Sequence, residues 1–106
     1  MQDNGAMPLL DPFEAMPEGA VRAQAVTSVV SRIEMARYLG KYPRSTRQQI
    51  AAGAGLKYET VRKEIALLVE LGYVTTSGGR RHETYTLDGV RLSADLGALI
   101  GYISQR

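Results

Sequence analysis

Apolar positions recur with helical spacing over most of the chain and switch to alternation only once. In "AAGAGLKYETVRKEIALLVELGYV" Val61, Ile65 and Leu68 fall on one face, while Lys57, Tyr58, Arg62 and Lys63 crowd the start. That spacing predicts an amphipathic helix over 57–71, stopped by Gly72. Towards the end, Leu92, Leu96, Leu99 and Ile103 repeat the helical period, with Ser93 as a plausible cap. Asp88-Gly89 reads either as a turn or as an earlier start of that helix. Between these helices "YVTT" and "HETYTL" alternate around "SGGRR" and predict a β-hairpin.

The first half is also helical, with breaks. From Pro17 to Gly40 either one long helix runs through, or a short leading element precedes a helix near 32–40. The β-branched cluster Val26, Thr27, Val29 and Val30 favours the second reading. So does the capping-box spacing of Ser31 and Glu34, with Val30 and Met35 placed as a hydrophobic staple. Pro43 ends this stretch. Ser45 with Gln48, or Thr46 with Gln49, then caps a short helix over about 46–53, which Gly53 and Gly55 break. Residues 1–18 hold Pro8, Pro12 and Pro17 with scattered Leu9, Leu10 and Phe13, keep neither period, and read as a flexible arm.

Composition narrows the class. The chain has 106 residues, 44% of them hydrophobic, enough for one domain with a modest core. No apolar run approaches the length of a membrane span, no secretory signal pattern opens the chain, and there is no cysteine. A soluble cytoplasmic protein is expected. The net charge of +2 conceals an asymmetry: Asp3, Asp11, Glu14 and Glu18 give the arm −4, and the remaining 13 basic and 7 acidic residues give the body +6. A basic body points towards a polyanion. The single His82, without cysteines or a carboxylate cluster, does not make a metal site, and no cofactor is expected. The serines lack a histidine–carboxylate setting, and neither Glu14 with Glu18 nor Asp88 with Asp95 makes an acid–base pair, so an enzyme is not expected. Tyr38, Tyr42, Tyr73, Tyr85 and Tyr102 read as core or core-edge residues.

The order of helix, short helix, tight turn, helix, hairpin and helix resembles the winged helix-turn-helix family. It is most similar to the small bacterial regulators of the arsenical-repressor and multiple-antibiotic-resistance-repressor type. The resemblance covers about residues 28–92. It is carried by Ile50, Ala51, Gly55, Leu56 and Val61, then by "ELGYV" and the hairpin. Ala51 suits a helix crossing, Gly55 a left-handed turn, and Leu56 with Val61 a buried seat for the second helix.

The resemblance implies a mainly α fold with a small β-hairpin (α+β), and a transcriptional regulator, in particular a repressor, that binds double-stranded DNA. The helix 57–71 would enter the major groove with Lys57, Tyr58, Thr60, Arg62 and Lys63 facing the duplex. Arg80 and Arg81 in the wing 77–82 would meet the backbone or minor groove, and Arg44 and Arg47 would hold phosphate. Where the family usually has a Ser or Thr cap, Lys57 stands, which cannot accept the orphan backbone bonds. A homodimer is expected through Val21, Ala25 and Val29 with Leu96, Leu99, Ile100 and Ile103, although the same stripes could close the monomer's own core. Two other functions fit the sequence: a plasmid- or phage-type accessory protein for replication, partition or excision, and a winged-helix module that binds protein. The acidic arm could then mask the basic body or dock a protein partner.

Overall fold

The computed structural model describes residues 15–105. Five helices and one two-stranded sheet follow in order: α1 Glu18–Thr27, α2 Val30–Lys41, α3 Arg47–Ala54, α4 Tyr58–Glu70, β1 Val74–Ser77, β2 Thr84–Leu87 and α5 Gly89–Ser104. The protein is thus mainly helical with a small antiparallel hairpin. No helix among the described residues is long and apolar enough to cross a membrane. The expected arm lies largely outside the described residues; Pro17 caps α1 and Glu18 already belongs to its first turn.

The break in the first half falls at Ser28-Val29, two residues earlier than the Ser31–Glu34 spacing predicts. Val29 is extended (φ −131°) and α2 starts at Val30 without a side-chain cap. Ser31 is therefore inside the helix, and Glu34 instead lies 3.9 Å from Arg37. Val30 is 73% exposed while Met35 is fully buried, so the expected staple does not form. The β-branched residues end α1, and no capping box is needed to start α2.

The next start follows the second of the two cap readings. Thr46 accepts from the Gln49 N–H at 3.1 Å and the Gln49 side chain accepts from the Thr46 N–H at 2.8 Å, which makes a reciprocal capping box. Ser45 does not cap; it is buried and donates its hydroxyl to the Tyr42 carbonyl at 2.7 Å. Gly55 ends α3 in the left-handed region (φ +69°), as the turn requires. Gly53 does not break the helix. It lies within α3, where a Cβ would fall on the Tyr38 ring of α2, so this glycine serves close packing. At the other end of the chain, Asp88 rather than Ser93 caps α5, accepting from the Arg91 N–H at 3.0 Å. Ser93 lies inside the helix.

One core joins α1, α2, α3, α4 and the hairpin. Met35, Leu39, Ile50, Val61, Ile65, Leu68 and Tyr73 are almost wholly removed from water and meet Val26, Val74 and Tyr85. Burying each large aliphatic side chain contributes about 1.5–3 kcal/mol. Ala51 and Leu56 are half-buried against this cluster, and the Leu56 N–H donates to the Ala51 carbonyl at 2.9 Å. Arg32 ties three helices together: its Nε donates to Glu64 at 2.6 Å and its Nη1 to the Ala25 carbonyl at 2.7 Å.

α1 packs on α5 around Ala20 and Ala23, joined by a buried polar cluster. The Tyr73 hydroxyl donates to Asp95 at 2.6 Å, and Arg22 donates to the same carboxylate at 3.1 and 3.3 Å. Gly19 lies so close to Asp95 that a Cβ there would meet the carboxylate. The Tyr73 hydroxyl, and then Arg22, hold the Asp95 carboxyl below the usual carboxylate range. Burial, and then the bond to Asp95, push the Tyr73 hydroxyl up to about 12.

A carboxyl whose folded value is depressed stabilises the fold above its unfolded value and loses that contribution as pH falls through the folded one. Acidifying the protein below about pH 4 should therefore lower its melting temperature more steeply than it does for Asp95→Asn. Tyr73→Phe should cost about 1–3 kcal/mol near neutral pH, the usual worth of a hydrogen bond to a charged group. Parallel acid profiles for wild type and Asp95→Asn in thermal melts would contradict this role.

Candidate nucleic-acid interface

The nine basic and polar residues singled out in the sequence lie on three starts: the loop into α3, the first turns of α4, and the hairpin tip. Backbone fixes two of the three, the loop into α3 and the hairpin, relative to each other. β1 pairs with β2 in the register Val74 to Leu87, Thr75 to Thr86, Thr76 to Tyr85 and Ser77 to Thr84. Ser45 then adds a bridge on the other side of β2, donating its N–H to the Tyr85 carbonyl at 3.1 Å and accepting from the Tyr85 N–H at 2.8 Å. The Tyr85 ring is buried beneath this junction.

Around it a small cleft of about 160 Å³ opens, lined by Thr46, Arg47 and Gln48 of the α3 start, Tyr58 of α4, and Arg80, Arg81 and Glu83 of the hairpin. Four of the sequence-predicted residues, Arg47, Tyr58, Arg80 and Arg81, are thus brought together from segments far apart in the chain. Arg47 lies over the Tyr85 ring at 5.9 Å and within 3.7 Å of Glu83. The Tyr85 hydroxyl donates to Glu83 at 2.8 Å. Burial, and then this bond, raise the Tyr85 hydroxyl to about 12, so it stays a donor at any ordinary pH.

Tyr58 opens α4 and is 41% exposed. One turn later Arg62 stands on the same side, because residues four apart stack along a helix. Arg62 and Lys63 are exposed with Glu59 and Ala66, whereas Val61, Ile65 and Leu68 face the core. The amphipathic pattern leaves the basic edge of α4 free. Arg62 donates to Glu59 at 2.9 and 3.0 Å. The Arg62 bond holds the Glu59 carboxyl below its ordinary value. Lys57 occupies the N-cap with extended backbone and makes no side-chain cap bond, and Thr60 is half-buried.

Arg44 stands apart from the cleft lining but at the same edge. Its φ of +56° is left-handed, and it is the one non-glycine with positive φ among the described residues. Its N–H donates to the Thr86 hydroxyl of β2 at 3.2 Å. A left-handed non-glycine costs about 1–2 kcal/mol and is tolerated best by Asn. At the hairpin tip, Gly78 (φ +89°) turns the chain where a Cβ would meet the His82 carbonyl, and the His82 N–H closes the turn on Gly79 O at 2.9 Å. This leaves Arg80, Arg81 and His82 exposed.

Sequence reasoning missed Thr46, Gln48 and Glu83 as members of the site, reading Thr46 only as a helix cap. Gln48 was visible as the second residue of a capped helix, beside the helix start. Glu83 gave no such signal, because only the Ser45 bridge carries it to Arg47. The arrangement offers cations, helix-start N–H groups and hydroxyls on one exposed edge, which is the chemistry that meets phosphate oxygens. No protein family matches the chain, and no curated protein matches it in sequence.

The left-handed backbone at Arg44 separates a structural role from a binding role. Arg44→Asn should leave the melting temperature unchanged or raise it, while weakening binding to a DNA duplex. A fall in melting temperature with unchanged DNA affinity would make Arg44 a purely structural residue.

Proposed function

We propose that the protein is a winged helix-turn-helix regulator that binds double-stranded DNA in a sequence-specific way. In this reading α4 lies in the major groove, N-terminal end first, and the hairpin is the wing. The observation that carries the proposal is the single cleft where Arg47, Tyr58, Arg80 and Arg81 converge from three segments. A hairpin gains no packing from two exposed arginines at its tip, and a phosphate backbone supplies their counter-charge. In this reading Arg62, with Lys57 and Lys63 beside it, would reach base edges, and Thr60 and Tyr58 would reach phosphate or a thymine methyl. Arg44 extends the phosphate-binding edge. Repression is the simplest regulatory role, since occupying a site is all it requires.

Arg80→Ala combined with Arg81→Ala should weaken binding to preferred and random duplexes alike and flatten the salt dependence, because log–log slopes run at about −0.9 per neutralised phosphate. Arg62→Ala should instead cost about tenfold on the preferred site and relax the preference at one or two base pairs. Anisotropy titrations over a salt series check both. An unchanged affinity and slope in the double variant would remove the hairpin from the interface, and an equal loss on every sequence would make Arg62 a phosphate contact.

The partner in solution, in the same proposal, is a second copy. α1 and α5 cover each other through Ala20, Ala23 and Asp95, which lie outside the stripes named in the sequence; of those stripes Ala25, Val29, Leu96 and Leu99 are half-buried, while Val21, Ile100 and Ile103 are exposed. What remains open is the outer face of α5: Val90 is 83% exposed, Ile100 64% and Ile103 71%, and Cβ atoms at Gly97 and Gly101 would meet nothing. From Leu96 to Ser104 the helix carries no charge. A helix apolar on both sides is normally covered on both. Each open Val or Ile offers on the order of 100 Å². Together with Leu96 and the glycines, this supplies about half of the roughly 800 Å² per partner of a stable interface, and the exposed Val21 of α1 would add to it. An uncharged face complements itself, whereas a charged partner would find nothing to pair with. Sedimentation should show a dimer that Ile100→Glu dissociates without lowering the melting temperature of the monomer. A wild-type monomer at high concentration would contradict it.

A further inference from the structure

We propose that Glu83 is a built-in competitor for the DNA backbone: it holds Arg47 in the free protein and so limits how tightly the basic face grips any duplex. The inference rests on the DNA-binding reading above and concerns the regulation of that same site.

The geometry is specific. Glu83 is half-buried where the hairpin returns to β2, and its Oε1 accepts the Tyr85 hydroxyl at 2.8 Å. The same oxygen lies 3.7 Å from Nη2 of Arg47, whose guanidinium rests over the Tyr85 ring. Glu83 shares the cleft wall with Arg80, Arg81, Tyr58, Thr46 and Gln48, and is the one carboxylate among those residues. A phosphate entering the cleft meets three guanidiniums and this single opposing charge.

The fold needs an acceptor for the Tyr85 hydroxyl at this position, but it does not need a charge, because an amide oxygen accepts equally well. What the charge does is occupy Arg47. An arginine already neutralised by its own protein contributes little counter-ion release when DNA arrives; a free one contributes about as much as any other phosphate contact. At 3.7 Å the Arg47–Glu83 pair is long and a third exposed, so a phosphate oxygen can take the carboxylate's place at small cost. Glu83 is therefore a positioning residue acting through Arg47. It lowers the sequence-independent part of the affinity, on preferred and random duplexes alike.

The test is a cycle of full-length variants, wild type, Glu83→Gln, Arg47→Ala and the double variant, titrated by anisotropy against one labelled random duplex over a salt series. Glu83→Gln should bind roughly two- to fivefold more tightly at low salt. Its salt slope should steepen by up to about 0.9. Its melting temperature should hold, since Gln keeps the acceptor for Tyr85. In the Arg47→Ala background Glu83→Gln should change nothing. An equal gain in that background would show that Glu83 acts as a bulk charge rather than through Arg47, and overturns the inference. So does an unchanged affinity and slope in Glu83→Gln while the wild type binds, or a large drop in its melting temperature. A wild type that binds no duplex at any salt overturns the DNA-binding reading itself, and is distinguishable from those results.

Discussion

Two backbone hydrogen bonds between Ser45 and Tyr85 join the hairpin to the helices. A two-stranded hairpin is marginal by itself in water and would wander at the end of α4. Here Ser45, just ahead of α3, pairs with Tyr85 as an isolated bridge on the free edge of β2, and the Tyr85 ring anchors the pair in the core. The position of Arg80 and Arg81 relative to Arg47 and Tyr58 depends on this junction. So does the left-handed Arg44, whose N–H is held by Thr86 on the same strand.

A second junction joins α5 to the rest. Asp95 reaches Tyr73, at the exit of α4, and Arg22 of α1. The Asp88 N–H donates to the Tyr73 carbonyl at 2.8 Å. Tyr73 is consequently held by both backbone and hydroxyl at the point where α4, β1 and α5 meet. An interface built on the outer face of α5 would be coupled to the hairpin through a short chain of packed groups, Asp95 to Tyr73 to β1. Dimer geometry and the orientation of the basic edge would then not be independent quantities.

Much of this was legible in the sequence because it is local. The Thr46–Gln49 box, the left-handed Gly55, the stop at Gly72 and the alternation around "SGGRR" each specify backbone within a few residues, and all are found. The face of α4 follows from its period alone. The residues that were misread act over long separations. Ser45 looked like a cap because its partner is forty positions away. Asp95 looked like an idle carboxylate because Arg22 is 73 positions upstream. Gly53 looked like a breaker, but the reason for a glycine there is a tyrosine ring on another helix. Ser31 and Glu34 have the spacing of a cap, yet Val29 had already turned the chain. In the site, charge and position in a capped helix picked out the cations, while Glu83 needed the tertiary bridge to be recognised.

The central claim is that the α3 start, the first turns of α4 and the hairpin tip form one DNA-binding edge. It is tested most directly by backbone amide NMR of the isotopically labelled protein, with and without a DNA duplex. The account predicts shift changes concentrated at residues 44–48, 57–63 and 78–83, with the amides of 19–26 and 90–96 unaffected. Changes confined to α1 and α5, or no changes at low salt, would contradict it.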